Sequence, residues 1–155
     1  MSIRGLWGIY ISGETKFIEI EKKAEPEYTG KIIIEAIKLM KRIYEEEYVQ
    51  HLEKIFCQIE YSQQITDNSD IFIIINEYIK RGIKKISVRE PIHNIYDDTY
   101  YEWVYVINLD DETFEIYRGL NNKEDLQGRY FLEEPRDAYY APSLFRRIHL
   151  KEMKI

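Results

Sequence analysis

The stretch from Trp103 to Gly119 does most to limit what this chain can fold into. Trp103, Tyr105 and Ile107 alternate with Val104 and Val106; Asn108-Leu109-Asp110-Asp111-Glu112 then interrupts, and Thr113-Phe114-Glu115-Ile116-Tyr117 resumes. A period of two broken by an Asp-rich segment predicts strand, turn, strand. Both faces of the first strand are apolar, which places it inside a sheet, because an edge or one-sided strand shows a polar face.

The remaining pattern supplies partners for that hairpin. Residues 6–11 are apolar, Ser12-Gly13-Glu14-Thr15 follows, and residues 17–20 return, so a first hairpin is predicted with Gly13 taking the positive φ. Residues 21–27 are charged, contain Pro26 and read as a loop. Thr29 is the expected cap of a helix whose stripe is Ile33, Ala36, Ile37, Met40 and Tyr44. Val49, Leu52, Ile55, Phe56 and Ile59 resume that spacing after Glu45-Glu46-Glu47, which predicts a second helix after a tight turn. A third helix is expected to start at Asp67 or Ser69 and stop at Gly82 after Lys80-Arg81, with a strand through Ile73-Ile74-Ile75 as the competitor. Short strands are expected at 83–88, 129–132 and 143–150, with a loop at 91–99, a turn at 119–125, and a tyrosine-rich loop between Pro135 and Pro142. Segregated helices and strands predict one α+β domain over 1–155. Its sheet is mostly antiparallel, of about five or six strands, with two or three helices packed on one face.

Composition narrows the function classes. The chain has 155 residues and is 45% hydrophobic, enough for one core without staples. A formal charge of -6 argues against duplex nucleic acid as a partner. The single cysteine, Cys57, allows no intramolecular disulfide and points to a reducing cytoplasm. Its place beside Phe56 predicts a core thiol. No apolar run reaches the roughly 20 residues of a membrane span, and the first residues lack a signal peptide's apolar core. The chain holds 14 tyrosines, many of them after residue 95, so a binding surface is expected in that half.

Three segments carry a resemblance: Arg4-Gly5-Leu6-Trp7-Gly8 entering the first hairpin, the strand Glu102-Trp103-Val104-Tyr105-Val106-Ile107-Asn108-Leu109-Asp110 with its return Phe114-Glu115-Ile116-Tyr117-Arg118-Gly119, and Tyr139-Tyr140 before Leu144-Phe145. Together these resemble a broad set of small, mostly uncharacterised proteins of bacteria, phages and fungi. Those proteins begin with an Arg-Gly-Leu hairpin and contain a Trp-x-Tyr-Val-Ile-Asp-Leu-Asp strand. Of the aromatic, acidic segment such proteins carry after the first hairpin, this chain keeps only Pro26, Tyr28 and Gly30. The resemblance implies a compact intracellular domain and supplies no activity.

Candidate chemistry is sparse. Ser2 would become the first residue once Met1 is removed and could serve as an N-terminal nucleophile with its own amine as base. Asp97, Asp98, Asp110, Asp111 and Glu112 could ligate a cation, but Asp110 to Thr113 reads as a turn, where Asp serves the backbone. His51, His93 and His149 have no metal-ligand spacing, so neither a metal nor a cofactor is expected. No glycine loop has phosphate-cradling spacing. What remains is a mixture of arginine and tyrosine. Arg118, Arg129, Arg136, Arg146 and Arg147 interleave with Tyr117, Tyr130, Tyr139, Tyr140 and Phe145, and Arg4 could join them from the first hairpin. Guanidinium forks suit phosphates and aromatic faces suit bases. The opposing account is a solvated strand edge paired to Glu133, Glu134 and Asp137.

The expected function is therefore non-catalytic binding, with a small anionic ligand such as a nucleotide or nucleotide-derived signal, or a host protein, as partner. On the resemblance, a phage or mobile-element accessory acting against host defence is a coherent setting. The rivals are an amidohydrolase using Ser2 and a pure protein–protein module, with homodimerisation through a sheet edge.

Overall fold

The computed structural model describes residues 3–63, 70–82, 84–91, 101–119 and 142–154. Along them run β1 (Gly5–Ile11), β2 (Glu14–Ile20), a π-helical turn (Pro26–Gly30), α1 (Lys31–Tyr44), α2 (Tyr48–Gln58), β3 (Ile59–Tyr61), α3 (Ile71–Arg81), β4 (Ile86–Val88), β5 (Trp103–Asn108), β6 (Thr113–Arg118) and β7 (Ser143–His149). The expected strand at 129–132, the turn beyond Gly119, the tyrosine-rich loop, most of the 91–99 loop and the polar segment 64–69 lie outside the described residues.

β5 is buried along its whole length, as its two apolar faces require. It sits mid-sheet in the order β2-β1-β5-β6-β7. β1 runs parallel to it, with Leu6 beside Val104, and the other three pairings are antiparallel. The sheet is thus mixed, with antiparallel pairs in the majority. Both hairpin turns follow from side-chain chemistry. Ser12 and Gly13 have φ of 52° and 82°, the conformation a two-residue hairpin loop needs. In the acidic turn, Asn108 accepts the Asp111 amide proton, and the Asp110 carboxylate accepts the Ser12 amide proton, each at 3.0 Å. The acidic cluster is a turn that fastens one hairpin to the other.

The three helices pack on one face of this single α+β domain. Ile33, Ala36, Ile37 and Met40 of α1, Leu52, Ile55 and Phe56 of α2, and Ile71, Ile74, Ile75 and Tyr78 of α3 form one core with Trp7, Ile9, Tyr105, Ile107, Phe114 and Ile116. α1 and α2 are separate because Glu45 turns the chain at φ 52°. α3 is a helix despite its β-branched run, since only helical spacing brings Ile71, Ile74, Ile75 and Tyr78 together. On the opposite face Leu6, Tyr101, Val104, Val106 and Tyr117 form a second buried cluster. Among the described residues no helix is long and apolar enough to cross a membrane.

Several local expectations are corrected. Thr29 does not cap α1: its hydroxyl donates to the Lys23 carbonyl, and the chain enters α1 through the π turn that Pro26 opens. The cap of α3 is Asp70, whose carboxylate accepts from the Phe72 and Ile73 amides. Ile59 begins β3 instead of continuing α2, and β3 pairs in parallel with β4 in a separate two-stranded sheet. Cys57 lies exposed on the outer side of α2, one position off the buried stripe.

Candidate functional site

The described residues behind the resemblance lie on neighbouring strands of the sheet, and several are there for packing. A side chain at Gly5 would strike the Trp103 carbonyl oxygen and come within 2.9 Å of the Ala24 methyl. Glycine at this position lets β1 and Ala24 close on β5. Tyr105, fully buried beneath, donates its hydroxyl proton to the Ala24 carbonyl and leaves Gly30 room against its ring. Burial is the main cause that pushes this phenol far above its ordinary range, with Glu27 and Glu25 adding to it. Tyr105 is therefore a neutral strut for the 21–30 segment and is unsuited to act as a base.

The arginines divide between the two faces. Arg118, the last residue of β6, lies with its guanidinium 5.3 Å from the Trp103 ring centroid, a cation–π contact. The Trp103 ring meets Phe145 edge-on at 5.3 Å. The register of β7 explains Phe145. Ile116 pairs with Arg146 and Tyr117 with Leu144, so Phe145 is the extra residue of a β-bulge. The bulge aims Phe145 toward Trp103, on the face that carries Arg118, and the pairing of Arg146 with Ile116 puts Arg146 on that face as well. The result is a corner of two guanidiniums and an aromatic pair. Phe145 is 57% exposed, unusual for so large an apolar ring. Arg118 and Arg146 are exposed and have no ion-pair partner among the described residues.

Arg147 points the other way. Its Nε lies 3.5 Å from the carboxylate of Glu115, which is fully buried. Glu115 also accepts from the Tyr117 hydroxyl at 2.9 Å and from Asn108 and Thr113 at 3.3 Å. This is a buried carboxylate paired and hydrogen-bonded, as burial of charge demands. Arg147 is thereby committed to holding β7 on β6. Arg4 is exposed at the same end of the sheet as Arg118, with β5 between them; its carbonyl accepts the Glu102 amide proton, and the Glu102 carbonyl accepts that of Gly119. Of the nine arginines and tyrosines expected to bind ligand, Arg118 and Arg146 share the corner. Arg129, Tyr130, Arg136, Tyr139 and Tyr140, like the alternative nucleophile Ser2, lie outside the described residues.

Sequence reading named Phe145 among the aromatics that interleave with the arginines, but missed Trp103 as its partner and the bulge that brings the two together. A signal was present: Phe145-Arg146-Arg147 breaks the period of two, and a strand that breaks it beside regular partners calls for a bulge. Of the remaining candidates, His51 is held by its neighbours. His51 stacks on Tyr44 at 3.6 Å and its Nδ1 meets the Tyr78 hydroxyl at 2.7 Å. His149 is exposed on β7, and no cluster of three metal-ligating side chains exists among the described residues. His93, Asp97 and Asp98 lie outside them. No family model, no curated protein and no solved structure matches this chain.

Proposed function

We propose that the protein is a non-catalytic binding protein that captures an anionic partner at the corner formed by Arg118, Trp103, Phe145 and Arg146. The observation that carries this reading is the pair of exposed guanidiniums with no carboxylate partner among the described residues, set around an exposed phenyl ring. In a chain of net charge -6, uncommitted arginines beside an aromatic face fit a ligand with an anionic group and a flat body, such as a nucleotide or nucleotide-derived signal. The same corner fits the acidic side chain of a host protein. Sequestering a host signal on behalf of a phage or mobile element is a setting in keeping with the resemblance and with the cytoplasmic habit inferred from one lone thiol.

The test is direct. Arg118→Ala and Arg146→Ala should each weaken capture by about tenfold or more, the scale of a lost charge-assisted contact. Both sit at the surface, so the variants should stay folded by circular dichroism. Wild-type affinity in both would sink the proposal. Ser2→Ala separates the enzymatic alternative, since capture should survive it and hydrolysis should not.

A further inference from the structure

A second region of the molecule is hollow, and it shares no lining residue with the arginine corner. Between the end of β2, the π turn and the starts of α1 and α3 is a cleft of about 680 Å³. Small-molecule sites span roughly 300–1,000 Å³. Its interior is mainly apolar, from Trp7, Ile20 and Ile71, with Tyr28 and Ile32 at the opening. Tyr28 is 51% and Ile32 37% exposed, so apolar surface around this hollow is left in contact with water.

The wall is fixed before any ligand arrives. The Ala24 amide donates to the Ile3 carbonyl, Tyr105 donates to the Ala24 carbonyl, and Thr29 donates to the Lys23 carbonyl. Lys23 itself is held at φ 57°, a conformation uncommon for lysine. A wall tied at three carbonyls limits the ordering that binding must supply.

Charged groups at the rim supply the polar contacts. Four carboxylates and three ammoniums line the cleft. Glu19 is engaged by the Tyr101 hydroxyl, and Asp70 caps α3. Both keep their negative charge, so the lining as a whole is not basic; the contacts open to an anionic head are the ammoniums of Lys22, Lys23 and Lys31, which, like Glu21 and Glu27, have no ion-pair partner among the described residues. The Lys23 ammonium rests 5.5 Å from the Tyr28 ring centroid, at the boundary of apolar and charged surface. We propose that this cleft is a binding site for a small amphiphilic anion: an apolar, flat or branched body seated on Trp7, Tyr28 and Ile32, with one carboxylate, sulfonate or phosphate group at the lysines.

Anilinonaphthalene sulfonate has this chemistry and reports its own binding by fluorescence. The native protein should bind it saturably, with one dye per cleft. Ile32→Glu should weaken binding by about tenfold or more, since it sets a carboxylate at the mouth of the cleft. The double variant Lys22→Gln with Lys23→Gln should weaken it several-fold, and the uncharged phenylnaphthylamine should bind more weakly than the sulfonate. The corner also suits a flat anion, so the dye is titrated on the double variant Arg118→Ala with Arg146→Ala as well, which should keep one dye per chain at the cleft. Ile32 is already partly exposed, and Tyr28→Asp gives a second disruption at a still more exposed position; unchanged melting temperatures show that loss of binding is not loss of fold. The proposal is overturned if the native protein does not take up the dye, if Ile32→Glu and Tyr28→Asp both bind it as wild type does, or if the uncharged analogue binds equally well.

Discussion

One methyl group at residue 5 measures how closely β1 sits on β5. An alanine there meets the Trp103 carbonyl oxygen, which is backbone and cannot swing aside. Gly5→Ala should destabilise the fold by about 1–3 kcal/mol, the scale of overpacking, as read by urea denaturation; an unchanged midpoint would mean that the strands can separate freely. Arg147 offers a second test. Its removal strips the buried Glu115 carboxylate of its cation. Breaking a fully buried pair costs about 3–5 kcal/mol; Arg147 is half exposed, so Arg147→Ala should cost less, about 1–3 kcal/mol. The same variant should capture ligand normally, in contrast to Arg146→Ala next to it. Sequence alone does not separate these neighbours, since Arg146 and Arg147 are chemically identical. Only the bulge decides which face each one takes.

At the scale of elements, Tyr61 closes an edge. Its hydroxyl accepts the Phe17 amide proton at 2.8 Å and donates to the Phe17 carbonyl at 2.9 Å, so β3 blunts the outer side of β2. Open strand edges invite pairing with other chains. Tyr61→Phe should cost about 1 kcal/mol and raise self-association, seen by analytical ultracentrifugation; a variant as monodisperse and stable as wild type would remove this role. The contact between α2 and α3 should respond to acid. Burial chiefly, and then Lys54, lower the His51 pKa below its ordinary value, with Glu47 opposing. Folding therefore favours the neutral ring. Its contribution is present above the unfolded pKa of about 6.5 and is lost as pH falls through that value toward the folded one. His51→Gln should flatten the pH dependence of stability as pH falls through about 6.5; an unaltered slope would show that the ring contributes nothing to it. Helix stripes and hairpin turns were legible because both depend on near neighbours. Thr29 misled because a hydroxyl before a helix can serve any nearby carbonyl, and Lys23, brought round by its positive φ, is nearer. Ile59 misled because three residues are too few to change a period.

For the whole molecule, the parallel pairing of β1 with β5 is the feature that local pattern could not reveal. Nearly a hundred residues and all three helices separate the two strands, and nothing in either names its neighbour. The α+β class, the central position of β5 and the turn role of Asp110 and Asp111 could be read in advance, because they follow from alternation and burial. The cleft could not, although one sign stood in the sequence. Ile32-Ile33-Ile34 puts more apolar surface at the start of α1 than one buried stripe uses, and Ile32 is the residue left at the opening. The two proposed sites lie on different parts of the fold and answer to different variants, so a single measurement can separate them.

That measurement is native mass spectrometry on protein purified gently from cells, as wild type, as the double variant Arg118→Ala with Arg146→Ala, and as Ile32→Glu. The account predicts an adduct on wild type that denaturation releases, absent from the arginine variant and retained by Ile32→Glu. An adduct that survives in both variants, or a bare chain in every sample that also fails to bind any anionic partner in solution, would contradict capture at the Arg118–Phe145–Arg146 corner; one lost only from Ile32→Glu belongs to the cleft.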